Sequence, residues 1–406
     1  MNLSNLQLNE TSFLHLERYV NNGSPSGFTS KYATSAQTSP FGPCENFHLC
    51  AMEFPESIEV LNFGKEPKFF EKWQMLVHPD MIDDPLFAVC TNIERNSALV
   101  APTASGRTVK MLEGDGWFLK LCYKGLIGRI DRQLGTDHAC SAIEVSDTIE
   151  AAIKAGSLPK TFGIFRESFG RVIKLPDNDS TYDWGIVLRE PLPFPATPDA
   201  RALVPGFALF AEDRKHPGQK TILTQLISAQ SKPVSDFLFE DLIAPVFDAY
   251  FSLLLQCGLQ LEAQAQNILF MLDSNLRIAS VVARDAESVD KDFSLMDELG
   301  IAHDFTSREY KSLYRDQYNY QIMHSFMFDF KLGEYLIKPI ISNAAENFSF
   351  DQNALEERIR SHNRDYIKKL PPDFFPADGQ WYSYANEVHD RTKARPYIAT
   401  PNPKYR

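Results

Sequence analysis

The first part of the chain alternates short apolar runs with polar breaks, which is the pattern of β-strands. Residues 1 to 45 are rich in Ser, Thr, Asn, Gly and Pro, and only Ser12 to Val20 has helical spacing. Strand-like runs then follow one another: FHLCAMEF, FAVC, SALVAP, RTVKML and WFLKLCY. The pattern predicts a sheet-rich lobe over residues 1 to 140, with a loop-rich N-terminus.

Helical spacing becomes prominent after residue 140. EVSDTIEAAIKA, residues 144 to 155, predicts an amphipathic helix that is capped by Ser146 or Asp147 and is followed by Gly156. GIFRESFGRVIKL and WGIVLREPLPF return to strand-like patterns, and apolar residues recur every three or four positions from 288 to 363. A second, larger lobe with a central sheet and C-terminal helices is predicted over residues 141 to 406.

The charge balance bears on the class of partner. The formal net charge is −12, and no basic face of the kind that nucleic-acid binders carry is evident. The most apolar window, 242 to 261, is interrupted by Asp248 and Gln256, so a buried core helix is favoured over a membrane span. The opening MNLSNLQLNETSF has neither a basic start nor an apolar core, and a cytoplasmic protein is therefore predicted.

The six cysteines form no CxxC pair. Cys44 and Cys50 flank His48, but a four-ligand zinc site needs further partners nearby. Reduced, scattered thiols are the favoured interpretation.

Several cationic residues are candidates for binding an oxyanion. In TASGRT, residues 103 to 108, a hydroxyl, backbone amides and Arg107 can face one phosphate or carboxylate, although a surface turn is the favoured interpretation of the segment taken alone. Lys120 lies in an apolar strand, where it could instead face solvent. Arg132 follows GLIGRID at a predicted helix start and would share a helix face with Arg129, and a solvated ion pair is its alternative.

A second candidate site is the segment EAQAQN, residues 262 to 267, with Asp285 after the next apolar strand. Asn267 and Asp285 would come from adjacent strands joined by a turn at Ser274. Mg²⁺ prefers oxygen ligands, and an amide and a carboxylate placed in this way could hold it between phosphates. An ordinary polar hairpin is the alternative.

Taken together, these segments resemble the NRPS-independent siderophore synthetases, typified by aerobactin synthetase, from about residue 23 to the C-terminus. The family has, in chain order, a Ser-x-Arg-Thr motif, a lysine on a strand, an arginine, Ile-Leu-Arg-Glu-like strands, a Glu-Ala-His-x-Gln-Asn motif and an Arg-Asp pair. A His-Pro-Trp-Gln element lies upstream of these motifs in the family, and His78-Pro79 partly matches it. The resemblance implies that ATP is bound by Ser105, Arg107, Lys120, Arg132, Gln264, Gln266 and Asn267. It also implies that Mg²⁺ is held by Asn267 and Asp285 with support from Glu262, and that catalysis rests on Arg107, Lys120 and Arg132.

The sequence departs from the family in two segments. GSPSGFTSK, residues 23 to 31, keeps a glycine, a proline and Lys31 but neither histidine of the family motif, and Gln264 replaces the histidine before Gln-Asn. Glutamine can donate a hydrogen bond but supplies no imidazolium charge. A typical member also has a preceding helical lobe of roughly a hundred residues, so the resemblance is to a synthetase shortened at its N-terminus.

The resemblance implies an α+β fold. A fingers-like lobe with a mixed or antiparallel sheet would bind the nucleotide, and a cleft would separate it from a larger palm-like lobe with α/β and helical parts. The implied activity is that of an ATP-dependent ligase in siderophore biosynthesis, which adenylates a carboxylic acid and condenses it with an amine, hydroxylamine or alcohol. A polycarboxylate would need further cations, for which Arg189 and Lys31 are candidates. A homodimer is expected from the resemblance.

Two alternatives remain open. The chain could be an ATP-dependent amide or ester ligase of another natural-product pathway, or a non-catalytic relative that binds a carboxylate or a partner subunit.

Overall fold

A computed structural model describes residues 1–21, 34–127, 130–177, 180–197, 199–384 and 397–406. The strands, in chain order, are β1 (Phe47–Glu53), β2 (Val60–Gly64), β3 (Met75–Val77), β4 (Asn92–Pro102), β5 (Thr108–Met111), β6 (Phe118–Leu121), β7 (Tyr123–Ile127), β8 (Ile130–Arg132), β9 (Phe162–Ile164), β10 (Glu167–Asp177), β11 (Ser180–Arg189), β12 (Ala200–Pro205), β13 (Leu259–Gln260), β14 (Ile268–Asp273), β15 (Ile278–Ala283), β16 (Asp290–Asp292), β17 (Ser312–Leu313), β18 (Gln380–Tyr384) and β19 (Tyr397–Pro401).

Helices dominate the C-terminal half. The α-helices are α1 (Glu10–Tyr19), α2 (Thr136–Lys154), α3 (Gly206–Phe210), α4 (Ile222–Ala229), α5 (Val234–Asp236), α6 (Ala244–Cys257), α7 (Phe293–Leu299), α8 (Tyr320–Ser325), α9 (Lys338–Asn347) and α10 (Gln352–Ile367). Phe237–Ile243 and Phe326–Ile337 are π-helical, and short 3₁₀ turns span Leu3–Asn5, Pro79–Met81, Pro85–Val89 and Ala286–Ser288. The class is α+β, as predicted.

The largest sheet has eight strands in the order β2-β10-β11-β6-β5-β4-β1-β3. Every neighbouring pair in it is antiparallel. Buried apolar side chains of the sheet, such as Leu119, Phe169 and Val172, belong to one core with Ala139 and Ala142 of α2. The sheet continues to residue 189, past the predicted boundary at residue 140, and the division into two lobes with a cleft stays a prediction.

The second sheet, β12-β14-β15-β9, is mixed, since β9 runs parallel to β15. It shares a large core with the C-terminal helices, in which Phe247 and Phe251 of α6 contact Phe328. Gly258 ends α6 in the left-handed conformation, at φ +63°. Gly258 therefore makes the turn that leads directly into β13.

Two local predictions are wrong. Helix α2 begins at Thr136 rather than near Ser146, because Ala139, Ala142 and Ile143 extend the buried face toward the N-terminus. Ser146 is buried inside the helix, where its Oγ accepts a hydrogen bond from the Glu167 amide.

FAVC, predicted as a strand, belongs to the 3₁₀ turn Pro85–Val89. Asp84 caps this turn by accepting a hydrogen bond from the Leu86 amide, and Pro85 favours helical dihedrals at its first position.

Candidate active site

The TASGRT segment forms the tight hairpin between β4 and β5. The Thr103 hydroxyl donates to the Thr108 carbonyl at 2.6 Å, and Ser105 Oγ accepts from the Thr108 amide at 2.8 Å. Gly106 lies at φ +76°, where a side chain would be strained. The segment is thus a rigid turn that presents Arg107 to the interior rather than a mobile surface loop.

Helix α1 holds this turn in place through Glu17, whose side chain is fully buried. One carboxylate oxygen accepts from the Ala104 amide at 3.0 Å, and the other accepts from Arg284 Nη1 at 2.6 Å. Glu17 therefore ties the β4–β5 turn to the end of β15. Sequence reasoning missed this contact, because the two segments are far apart along the chain.

Lys120 is buried on β6, which contradicts the solvent-facing interpretation of an isolated strand lysine. Leu119 and Leu121 pack into the core of the large sheet, whereas Phe118 packs beside Val282 of the second sheet. Because side chains alternate along a strand, Lys120 shares the Phe118 face and points toward the second sheet. Both faces of β6 are covered, so alternation does not imply exposure here.

Three carboxylates surround the Lys120 ammonium. Asp285 contacts it directly, Glu287 Oε2 lies 2.5 Å away, and Glu167 Oε1 lies 4.0 Å away. Burial alone would lower the pKa of Lys120, but the three carboxylates outweigh burial and raise it. Lys120 is therefore charged throughout the physiological range.

The carboxylates respond in the opposite direction. Burial would raise their pKa values, but Lys120 with Arg189 lowers the pKa of Asp285, and Lys120 with Arg107 lowers that of Glu287 well below its ordinary value. Asp285 also adopts φ +75°, an uncommon backbone conformation for a residue with a side chain. Its side chain keeps 26% exposure, which makes it the most accessible anion of the cluster.

Two arginines complete the cluster. Arg107 Nη2 donates to Glu287 Oε2 at 3.2 Å, and its Nη1 donates to the Arg132 carbonyl at 3.1 Å. Arg189 Nη2 donates to Glu167 Oε1 at 2.7 Å and lies 3.6 Å from Asp285. Arg189 Nε is buried and has no hydrogen-bond partner among the described residues.

Arg132 lies at the edge of this cluster. It ends strand β8 rather than beginning a helix, which corrects the prediction, and Arg129 lies outside the described residues. Its Nε donates to the Ile127 carbonyl at 3.1 Å. Burial, together with the nearby charge of Arg107, lowers the pKa of Arg132 to about 10.

The predicted β-hairpin is confirmed. Asn267 directly precedes β14 and Asp285 follows β15, and the Arg284 amide donates to the Asn267 carbonyl at 2.9 Å. Asn267 Nδ2 lies 3.4 Å from Ser288 Oγ, which in turn donates to the Asp285 carbonyl at 2.7 Å. The two predicted metal ligands are thus joined through one serine.

The contacts of Glu262 and Gln266 are with groups other than Lys120. Glu262 accepts from Asn267 Nδ2 at 3.3 Å, but its ion pair is with Lys331 Nζ at 2.5 Å. Gln264 is buried, and its Oε1 has no hydrogen-bond partner among the described residues. Gln266 contributes its backbone carbonyl, which accepts from Arg284 Nε at 2.6 Å.

Sequence reasoning did not identify three members of the site. Glu167 and Glu287 contact Lys120, and the Tyr310 hydroxyl donates to Glu287 Oε1 at 2.5 Å. Burial raises the pKa of Tyr310 well above its ordinary value, and Glu287 adds to the effect. Of these three residues, only Glu287 could have been identified from the sequence, because it stands two residues after Asp285, which is itself a predicted site residue.

The cluster therefore pairs cations with carboxylates in a nearly dry environment. Such a cluster is costly to bury, and removal of one partner leaves the others unpaired. Its chemistry fits a phosphate chain with a hard cation, because the arginines and Lys120 suit phosphate oxygens while Asp285 and Glu287 supply oxygen ligands. The buried, unpaired Arg189 Nε and Gln264 Oε1 remain available as a donor and an acceptor.

Comparison with solved structures identifies the fold. The chain is similar to the petrobactin biosynthesis protein AsbB from Bacillus anthracis, with a TM-score of 0.68 and 13% identity over 99% of this chain and 75% of that one. It is also similar to ATP-bound aerobactin synthetase IucA from Klebsiella pneumoniae, with a TM-score of 0.64 and 14% identity over 90% of this chain and 70% of that one. Aerobactin synthetase IucC from K. pneumoniae gives a TM-score of 0.62 and 14% identity over 83% of this chain and 65% of that one.

The chain thus has the fold of the siderophore synthetases, and the resemblance drawn from the motifs is confirmed at the level of the fold. No family model matches the sequence, and no curated protein matches it. In the part of the chain that the structure describes, no helix has the length and apolar character needed to cross a bilayer.

Proposed function

We propose that this protein is an ATP-dependent ligase of siderophore biosynthesis that adenylates a carboxylic acid and condenses it with an amine, hydroxylamine or alcohol. The supporting observation is the convergence of Arg107, Lys120 and Asp285 into one buried charge cluster. The fold supports the proposal, since the solved structures that share it include an ATP-bound aerobactin synthetase.

In this proposal the cations bind the phosphates of ATP. Arg107 and Lys120 exchange part of their contact with Glu287 for phosphate oxygens, and Arg132 closes the site from β8. Ser105, Gln264, Gln266 and Asn267 supply neutral hydrogen-bonding groups. Cations that are already in position where negative charge develops are usually the largest source of rate acceleration. Arg107, Lys120 and Arg132 are therefore the catalytic residues, and they stabilise the negative charge of the transition state.

Mg²⁺ would be held by Asp285 and Asn267, with Glu262 in support. Glu287 is a further ligand suggested by the geometry, because it lies beside Asp285 on Lys120, whereas Glu262 is engaged by Lys331. When bound, the ion would neutralise charge on the phosphates.

The chemistry proceeds in two displacements. The substrate carboxylate attacks the α-phosphorus of ATP, and the bond to the pyrophosphate leaving group breaks. The nucleophile then attacks the acyl carbonyl, and AMP leaves with the electrons of the acyl–oxygen bond. A free amine needs no protein base for attack, so this chain has to orient the reactants and stabilise negative charge.

The acid is proposed to carry more than one carboxylate. Arg189 lies within the cluster, and its unpaired Nε can donate to a second carboxylate of the substrate. Lys31, the other candidate, lies outside the described residues. We also propose that the protein acts in the cytoplasm as a homodimer.

Exchange of labelled pyrophosphate into ATP tests the proposal, with a panel of di- and tricarboxylates as substrates. We expect exchange with at least one acid, and calorimetry should detect ATP binding. If neither pyrophosphate exchange nor ATP binding is detected with any acid of the panel, the ligase proposal is overturned. The alternative, a non-catalytic protein that binds a carboxylate or a partner subunit, is then favoured.

Arg107→Ala tests the site itself. The variant should lose roughly 10²–10³-fold in exchange rate, as removal of one stabilising donor does elsewhere. Arg95→Ala is the matched control, because Arg95 lies on the preceding strand with 66% exposure and a 3.9 Å contact to Asp83. Equal losses in both variants would contradict the assignment.

The second candidate is an ATP-dependent amide or ester ligase of another pathway. Gln264 favours it, since a neutral residue stands where the siderophore synthetases have a motif histidine. The two candidates share the first displacement, so the acid and the nucleophile that support turnover distinguish them.

A further inference from the structure

A second polar cluster lies where the C-terminal part of α1 meets the segment after α3. His15 Nε2 and His216 Nδ1 each lie 2.9 Å from the same oxygen, Asp213 Oδ2. The three potential ligand atoms all lie within 4.8 Å of one another. No part of the proposed ligase chemistry uses these residues.

Too many donors converge on this one oxygen. Besides the two imidazoles, the Met1 amino group contacts Asp213 Oδ2, while the Lys215 amide donates to Oδ1 at 2.9 Å. A carboxylate oxygen has about two lone-pair sites, so three donors on Oδ2 exceed its capacity. A cation that replaces the imidazole protons would relieve this crowding.

The surroundings are those of a built site. The Asp213 side chain is only 5% exposed and that of His15 17%, whereas that of His216 is 50% exposed. Two ligands are thus fixed by packing, and the third can adjust from the solvent side, which leaves a path for an ion to enter.

The ligand set selects the ion. Two imidazole nitrogens and one carboxylate oxygen suit a borderline divalent ion such as Zn²⁺ or Co²⁺, with water in the remaining position. Mg²⁺ prefers an all-oxygen environment and would be disfavoured here.

The location suggests what the ion would do. Arg214 joins the same segments, because its amide donates to the Tyr19 carbonyl at 2.9 Å and its guanidinium contacts the Arg18 carbonyl. Glu17, two residues after His15, holds the β4–β5 turn and Arg284. An ion at His15 would therefore fix the helix that positions the phosphate-facing turn.

We infer that His15, Asp213 and His216 form a structural site for a borderline divalent metal ion that anchors α1 against residues 213–216. This site is separate from the proposed Mg²⁺ site and holds its ion in the absence of ATP.

Cobalt spectroscopy and calorimetry test the inference on untagged, chelator-treated protein. Co²⁺ should give visible d–d absorption that saturates at one equivalent, and Zn²⁺ should abolish this absorption and raise the melting temperature. The double variant His15→Ala/His216→Ala should weaken Zn²⁺ binding at least a hundredfold and lose the thermal shift.

His362→Ala is the matched control, because His362 Nε2 lies 2.8 Å from Asp248 in a similar pair elsewhere. This variant should bind Zn²⁺ as the unchanged protein does. Absence of stoichiometric Zn²⁺ binding, or binding that survives in the double variant, would overturn the inference. Neither readout requires ligase activity, so the result is independent of the proposed function.

Discussion

Two buried polar regions of this molecule are built on different principles. Around Lys120, charged groups satisfy one another, with Asp285, Glu287 and Glu167 facing a lysine and arginines. Around His324, the partners are mostly neutral: Gln260 Nε2 donates to the Tyr250 hydroxyl at 2.6 Å, and Gln260 Oε1 lies 2.9 Å from His324 Nδ1.

The polar groups of the second region surround one carboxylate, that of Asp292. His324 Nε2 lies 3.1 Å from Asp292 Oδ2, the Tyr320 hydroxyl donates to the same oxygen at 2.7 Å, and the Leu295 amide donates to Oδ1 at 2.9 Å. This network joins the helices around it and has no exposed member. We expect the charge cluster to exchange partners with a ligand and the neutral network to stabilise the fold.

The largest expected effect is on stability, in Asp292→Ala. Removal of Asp292 leaves the Tyr320 hydroxyl and the Leu295 amide without their acceptor and takes a buried carboxylate away from His324, so the free energy of unfolding should fall by about 3–5 kcal/mol. Urea unfolding measures this loss. Asp297→Ala, on an 82% exposed residue of the same region, should change it by less than about 0.5 kcal/mol. Equal losses of unfolding free energy in Asp292→Ala and Asp297→Ala would show that the neutral network does not stabilise the fold.

The next effect is on activity, in Glu287→Gln. This near-isosteric change removes a charge beside Lys120, and the pyrophosphate exchange rate should fall roughly 10²–10³-fold. Stability should fall less than in Asp292→Ala, because glutamine can still accept a hydrogen bond and Asp285 and Glu167 still face Lys120. Glu113→Gln, at an exposed position, is the control. A large drop in melting temperature with unchanged exchange would make the cluster structural.

Tyr320→Phe probes the neutral network with a smaller change. It deletes one hydrogen bond to a charged group and should cost about 1.5–3 kcal/mol of unfolding free energy. ATP binding by calorimetry should be unaffected. A weakened ATP affinity would show that the network is coupled to the site.

Gln264→His adds a potential positive charge to the first region, around Lys120. Imidazolium can make a charge-assisted contact that glutamine cannot, and the exchange rate should rise about tenfold, a change of about 1.4 kcal/mol. Gln264→Asn, which keeps the side chain neutral, should bring no gain. A loss of exchange in Gln264→His would mean that the site is adapted to glutamine.

Local chemistry in the sequence predicted much of the site. The spacing predicts that Asn267 and Asp285 lie on one hairpin, and TASGRT is predicted as a turn, both of which the structure has. The binding of an oxyanion by Arg107 stays a prediction. The burial of Lys120 could not be predicted, because it depends on a second sheet that covers the polar face of β6. Glu17 and Glu167 were missed for the same reason, since their partners are distant along the chain.

The hairpin that carries Asn267 and Asp285 has a practical consequence for engineering. Its far end, residues 274–277, is shaped locally by Asp273 Oδ1, which accepts from the Asn275 and Arg277 amides at 2.8 Å each. Six-residue strands at roughly 3.3 Å per residue put about 20 Å between this turn and the charge cluster. A fluorophore or an inserted peptide at this turn could therefore report on ligand binding without touching the chemistry.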